Sequence, residues 1–161
     1  MKKSVILISF LFLTLVSCGQ NETRSYSEYS DFFLDDIDNF YQIEEEHYFI
    51  DLYQIECSHC ENVKTNLFNY LDELESGEKS LKIYLFDLNS GDGGIPNRNK
   101  FKVKGENYDR NVLIREMEQA KPETLNKTYY FGTPSLYEIK DGKFENLYLG
   151  ENEINGFLNS L

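Results

Sequence analysis

Two short apolar stretches with a C-x-x-C motif between them constrain the fold of this 161-residue chain more than any other feature. Residues 48–53 (YFIDLY) are apolar except for Asp51 and predict a buried strand, and residues 81–88 (LKIYLFDL) predict a second strand. Between them, Cys57 and Cys60 precede a stripe of apolar side chains at helical spacing. Strand, helix and strand in this order predict a βαβ unit with a parallel pair of strands.

The rest of the chain extends this α/β pattern without an internal repeat. The further predicted elements are a helix at about 30–43, a helix at about 107–120, strands at 135–140 and 143–149, and a closing amphipathic helix. Asp141-Gly142 joins the last two strands and is typical of a two-residue hairpin turn. We therefore expect one α/β domain over residues 31–161, with an insertion at about 89–132.

The N-terminus has the pattern of a targeting segment. Lys2 and Lys3 precede an uncharged apolar run over residues 5–16, which is too short to span a bilayer and indicates a signal peptide at 1–17. The run ends Leu-Val-Ser-Cys at Cys18, which resembles the lipobox of bacterial lipoproteins. This resemblance implies a lipid on Cys18, a flexible tether at 18–30, and a location on the extracytoplasmic face of the cell membrane.

The charge of the chain limits the classes of partner that it could bind, and the cysteine count limits the disulfides that it could form. The 28 acidic and 16 basic side chains give a net charge of −12, which argues against nucleic acid because phosphate contacts need clustered Lys and Arg. A lipid-bearing Cys18 could not form a disulfide, so Cys57 and Cys60 would be the only thiols left. No nucleotide, haem or other cofactor motif is present in the sequence, so we expect no cofactor beyond the cysteine pair.

A C-x-x-C at the start of a helix favours dithiol chemistry. The free backbone N–H groups and the helix dipole stabilise negative charge there, so the first thiol ionises more readily. We expect Cys57 to be the exposed nucleophile and Cys60 to be the more buried thiol that resolves a mixed disulfide.

Several positions together resemble the thioredoxin superfamily. Asp51 lies six residues before Cys57, and Gly132-Thr133-Pro134 stands directly before the predicted hairpin. The resemblance implies a thioredoxin-like fold, with a central mixed sheet flanked by helices and a helical insertion before a cis-proline loop. It also implies that Asp51 accepts the Cys60 proton and that Thr133 and Pro134 bind the backbone of a protein thiol or disulfide substrate.

Three residues around the cysteines depart from the thioredoxin pattern. Glu56 replaces a tryptophan, and Ser58-His59 replaces Gly-Pro. His59 resembles the histidine of periplasmic disulfide oxidases, which stabilises the thiolate, whereas Glu56 disfavours it. These residues tune the pair, and the sequence leaves open both the direction of electron flow and the redox partner.

Other functions compete with a thiol–disulfide oxidoreductase. A structural disulfide is one alternative. A copper or zinc site at Cys57, His59 and Cys60, with His47 as a further ligand, is another, although the sequence has only two histidines and no second C-x-x-C. A thioredoxin-fold binding module without redox activity is the third.

Overall fold

A computed structural model of the chain describes residues 24–91, 96–102, 104–105, 107–119 and 128–161. The predicted signal peptide and Cys18 lie outside these residues, as do parts of the predicted insertion. No helix in the described ranges is both long enough and apolar enough to cross a membrane.

The described part of the chain is built on one four-stranded mixed sheet. Its strands are β1 (His47–Tyr53), β2 (Lys82–Asp87), β3 (Ser135–Lys140) and β4 (Lys143–Leu149), in the order β2-β1-β3-β4. β1 pairs parallel with β2 and antiparallel with β3, and β3 pairs antiparallel with β4. The predicted βαβ unit and the predicted C-terminal hairpin are both confirmed.

Helices cover both faces of this sheet. They are α1 (Ser58–Glu75), α2 (Arg110–Glu118) and α3 (Gly150–Leu158). The helices α1 and α3 pack with Phe49 and Tyr53 of β1 in one apolar core, which we call the first face. Tyr48, Ile50 and Leu52 of β1 point into a separate core on the other side, the second face, where Met117 of α2 is buried. This arrangement is a thioredoxin-like fold, as predicted.

The hairpin between β3 and β4 turns at the predicted dipeptide. Asp141 has φ 51° and Gly142 has φ 68°, the left-handed pair that a type I′ turn requires. The turn matches the right-handed twist of the strands, and the Asp141 N–H is also bound by the Glu46 carbonyl at 2.7 Å. A local sequence signal therefore sets the end of the sheet.

The predicted helix at 30–43 is wrong. The chain instead forms two short 3₁₀ helices, Tyr26–Phe32 and Ile37–Tyr41, with extended backbone between them. In that stretch the Leu34 N–H is bound by the Leu85 carbonyl of β2 at 2.9 Å. The first 3₁₀ helix buries its aromatic residues in the first face and the second buries its apolar residues in the second face. One continuous helix could not supply both cores, so the chain breaks where it crosses the edge of the sheet.

The other predicted helices are present, and α2 is shorter than predicted. α2 covers Arg110–Glu118 of the predicted 107–120, and a third 3₁₀ helix, Asn97–Lys100, lies between β2 and α2. Of the α2 side chains only Met117 is fully buried. Arg110 ties α2 to α3 and β4, because its guanidinium donates to Glu153 Oε2 at 3.2 Å and to the Leu147 carbonyl at 2.9 Å.

Candidate functional site

The two cysteines lie at the junction between the end of β1 and the start of α1. Cys57 is the N-cap of α1, and its Sγ accepts a hydrogen bond from the Cys60 N–H at 3.2 Å. The pair is joined as a disulfide, with 5.2 Å between the two Cα atoms. Cys57 is partly exposed, whereas Cys60 is 1% exposed. A thiolate on Cys57 would therefore keep the N–H groups and the dipole of α1 as stabilising partners.

The turn before Cys57 is short and exposed. Ile55 and Glu56 stand out into solvent, and Glu56 has φ 68°, a left-handed conformation that is uncommon outside glycine. This turn aims the Cys57 side chain toward the Thr133 loop. Ser58, the first residue of α1, is exposed as well. All three residues expected to tune the pair, Glu56, Ser58 and His59, are therefore exposed to solvent.

Asp51 is the most unusual residue of the site. It sits in the middle of β1, with Leu85 and Leu136 as its neighbours on β2 and β3. By alternation along β1, its side chain points into the first face, the core that also contains Cys60. Asp51 is 1% exposed, and neither of its carboxylate oxygens has a hydrogen-bond partner among the described residues. Burial raises the pKa of Asp51 to about 7.

The Thr133–Pro134 loop faces the cysteines across the end of the sheet. The peptide bond between these residues is cis. Thr133 Oγ1 lies 3.7 Å from Cys57 Sγ and donates to Gln54 Oε1 at 3.1 Å, and the Pro134 carbonyl accepts from the Gly150 N–H at 3.0 Å. The loop is thus held against both the turn before Cys57 and the start of α3.

The His59 side chain is bound by Glu151 of α3, a residue that no sequence motif marks. Its Nδ1 lies 2.9 Å from Glu151 Oε2, which also accepts from Asn62 Nδ2 at 2.6 Å. The two hydrogen bonds lower the pKa of Glu151, that from Asn62 the more. Because an ionised carboxylate only accepts, His59 Nδ1 is the donor of this hydrogen bond. The His59 side chain is 67% exposed, which limits the strength of this pair.

A cleft of about 370 Å³ opens between the disulfide end of α1, the Thr133 loop and the first turn of α3. His59 lines one side and Thr133 the other, while Leu149 and Glu151 lie between them. Gln54, Asn62 and Glu151 join the site only through packing of β1, α1 and α3. No local motif marks these three residues in the sequence.

The ligand set of the alternative metal site does not come together. His47 begins β1, about 20 Å of strand away from the turn that holds Cys57, since each strand residue rises about 3.3 Å. Its Nε2 lies 2.9 Å from Glu138 Oε1 on β3. Within the described residues, no group of three or more His, Cys, Asp or Glu side chains is arranged to hold a metal ion.

Three comparisons with known proteins were made. No protein-family model and no curated protein sequence matches the chain. Mitochondrial thioredoxin 3 of Saccharomyces cerevisiae in its oxidised form is 14% identical over 83% of this chain and 98% of its own length, with a TM-score of 0.48. Thioredoxin of Malassezia sympodialis (Mala s 13), a pan-allergen family member, is 13% identical over 80% of this chain and 87% of its own, with a TM-score of 0.45.

A third solved chain comes from work on the thiol resolving mechanism in yeast mitochondrial 1-Cys peroxiredoxin via glutathione/thioredoxin systems. It is 13% identical, covers 80% of this chain and 93% of its own, and has a TM-score of 0.46. At this level of similarity, the fold assignment rests on the strand order, the cysteine pair at the start of α1 and the Thr133 loop of the chain itself.

Proposed function

We propose that this chain is a thiol–disulfide oxidoreductase that exchanges the Cys57–Cys60 disulfide with cysteines of other proteins. One observation carries the proposal: a disulfide at the start of α1, with one partly exposed and one buried cysteine, shares a core with a buried carboxyl that has no hydrogen-bond partner in the described part of the chain. A purely structural disulfide has no use for an unpaired acid in the core beside it, because that acid costs stability.

Exchange begins at the exposed sulfur. A substrate thiolate attacks Cys57 Sγ, the Cys57–Cys60 bond breaks, and its electron pair leaves on Cys60 as a thiolate. Asp51, whose pKa of about 7 keeps a large share of it protonated at neutral pH, gives its proton to Cys60. A second substrate thiolate then attacks the substrate sulfur of the mixed disulfide and releases Cys57. The chain is reduced and the substrate is oxidised by two electrons.

The reverse sequence reduces a substrate disulfide. The Cys57 thiolate attacks one sulfur of the substrate disulfide, and the other substrate sulfur leaves as a thiolate. Asp51 takes the Cys60 proton, and the Cys60 thiolate attacks Cys57 Sγ, which re-forms the Cys57–Cys60 bond and releases the remaining substrate sulfur as a thiolate. In both directions Thr133 and Pro134 would bind extended substrate backbone beside Cys57, since their loop lies directly against that sulfur. No further cofactor is needed, because the disulfide itself carries the two electrons.

Trapping of the mixed disulfide tests the proposal. The full chain is used with Cys18→Ala throughout, so that Cys18 contributes no thiol. Reduced Cys60→Ser, mixed with insulin, should accumulate a chain–insulin disulfide that dithiothreitol releases, because Cys57 attacks and nothing resolves the product. Reduced Cys57→Ser should trap far less, since Cys60 is buried. Equal trapping by both variants, or by neither, would overturn the proposal.

We also propose that the chain is attached through a lipid on Cys18 to the outer face of the cytoplasmic membrane of a bacterium. The support is the apolar run and the Leu-Val-Ser-Cys sequence that precede the domain. In a bacterial host, the full chain should partition with membranes, and its mature N-terminal peptide should carry acyl mass on Cys18. Cys18→Ala should lose the acyl mass. A mature chain whose Cys18 carries no acyl mass would contradict a lipid anchor at this residue.

A further inference from the structure

The segment Arg24–Phe33, which we call the N-terminal clasp, is packed on the domain rather than extended away from it. It includes residues 24–30, for which the sequence predicts part of a tether. The Arg24 guanidinium pairs with Asp72 of α1, and its Nη2 donates to Asn69 Oδ1 at 2.8 Å. Tyr29 is buried, and its hydroxyl donates to Asp72 Oδ1 at 2.7 Å. The clasp is therefore fixed to the second half of α1.

Tyr26 extends from the clasp toward the redox site. Its ring stacks on Tyr53 with 3.7 Å between ring centroids and 7° between planes, and meets Phe68 edge-on at 5.1 Å. Lys64 Nζ lies 5.7 Å from the same ring. Tyr53 is two residues after Asp51 on the same face of β1. Tyr26 thus covers the surface of the first face immediately beside the buried carboxyl.

The electrostatics of Tyr26 and Asp51 are linked. Burial raises the pKa of the Tyr26 phenol, and the charge of Asp51 raises it further. The charge interaction shows that the Tyr26 hydroxyl lies near the Asp51 carboxyl, and the pKa of Asp51 is raised by its own burial. The titratable and charged groups packed around Tyr26 and Asp51 come from β1 and from the α1 side. They are Tyr53, Cys57, Cys60, Glu61 and Lys64.

We propose that Tyr26 is a positioning residue of the dithiol site, whose ring closes the route by which water would otherwise reach Asp51. The proposal deepens the proposed function, in which Asp51 handles the proton of Cys60. β2 and β3 contribute only leucines opposite Asp51, so those sides are already dry. Tyr26 bridges β1 and α1 on the face into which Asp51 points, because its ring contacts Tyr53 of β1 and Phe68 of α1. The clasp would then set the pH at which exchange runs, without touching either sulfur.

The experiment follows the carboxyl ¹³C signal of Asp51 against pH in the full, oxidised chain, with Asp51→Asn to assign it. Tyr26→Ala should lower the midpoint by about one pH unit or more toward the ordinary aspartate value, because water then solvates the carboxylate. Tyr26→Phe keeps the stacked ring and should leave the midpoint close to that of the unmodified chain. Tyr26→Leu, which fills part of the space, should fall between them and serves if the alanine variant does not fold.

Tyr29→Phe is the matched control, because it removes a hydrogen bond of the clasp to α1 and leaves the Tyr26–Tyr53 stack in place. Its midpoint should not move. An unchanged midpoint in both Tyr26→Ala and Tyr26→Leu, or an equal shift in Tyr29→Phe, would overturn the proposal. The oxidised chain performs no exchange in this titration, so the result is independent of the trapping experiment. If the midpoint shifts but no mixed disulfide with insulin is trapped, Tyr26 still shields Asp51 from water, and the proposed oxidoreductase function is overturned.

Discussion

The two faces of the sheet differ in the hydrogen bonding of the buried polar side chain that β1 contributes to each of them. On the second face, the hydroxyl of the fully buried Tyr48 donates to the Phe40 carbonyl at 2.6 Å, and that of Tyr137 donates to the Tyr129 carbonyl. On the first face, Asp51 is equally buried and has no partner for either oxygen. Tyr48 and Asp51 stand three residues apart on one strand. The Tyr48 hydroxyl is thus satisfied where it is buried, whereas the Asp51 carboxyl costs stability, and the proposed function gives this carboxyl the role of proton donor and acceptor for the disulfide.

Asp51→Asn should produce the largest effect. The folded chain holds this carboxyl with a pKa of about 7, above its usual 3.8, so it binds more protons than the unfolded chain between those two values. The stability of the folded chain therefore falls as pH rises from about 4 to about 7 and levels off above that. At pH 8 to 9, Asp51→Asn should be more stable than the unmodified oxidised chain by roughly 4 kcal/mol, and the difference should vanish near pH 4. Urea unfolding at several pH values measures it.

The same variant should be a poorer catalyst. Without the carboxyl, exchange with insulin at neutral pH should slow by about tenfold to a hundredfold, because the Cys60 proton has no nearby acceptor. A variant that is destabilised at pH 8, or that exchanges at the full rate, would show that Asp51 is an ordinary structural residue.

Tyr48→Phe should lower stability and leave exchange unchanged, the opposite of Asp51→Asn, and the change in stability should be of intermediate size. Loss of the hydroxyl leaves the Phe40 carbonyl without this partner in the second core and should cost about 1–2 kcal/mol of unfolding free energy at every pH between 5 and 8. The insulin exchange rate should be unchanged, since the second face contains neither sulfur. A large loss of exchange in a folded Tyr48→Phe chain would mean that the two faces are not functionally separate.

His59→Ala should have the smallest effect. A histidine beside the pair stabilises the Cys57 thiolate and hence the reduced form, so its removal should lower the reduction potential. Because the side chain is 67% exposed and held toward Glu151, we expect a decrease of about 10 to 20 mV. His47→Ala, at the far end of β1, is the control and should leave the potential unchanged. A rise in potential for His59→Ala would reverse the assigned role of this residue.

Local sequence signals predict much of the framework. The apolar run of β1, the stripe of α1 and the Asp141-Gly142 turn each specify one element, and each is found as predicted. The strand pattern alone leaves open whether Asp51 lies on a buried or an exposed face, and its buried position agrees with what the resemblance to thioredoxins implies.

Features that depend on tertiary packing are the ones that sequence periodicity misses. The aromatic residues around 30–43 recur at helical spacing because they serve two cores in succession, and the periodicity does not show that the chain crosses a sheet edge between them. Glu151 meets His59 only because α3 packs against α1. Tyr26 lies in a polar, serine-containing stretch typical of a linker, and its partners on β1 and α1 are about 27 and 42 positions away.

Equilibration of the full Cys18→Ala chain with glutathione buffers of graded potential tests the central claim most directly. The fraction of oxidised Cys57–Cys60 is read by thiol alkylation and mass. A redox-active pair should follow one reversible two-electron transition with a midpoint between about −270 and −120 mV, the range of known exchange proteins. A pair that stays oxidised below about −300 mV, as structural disulfides do, would contradict the account.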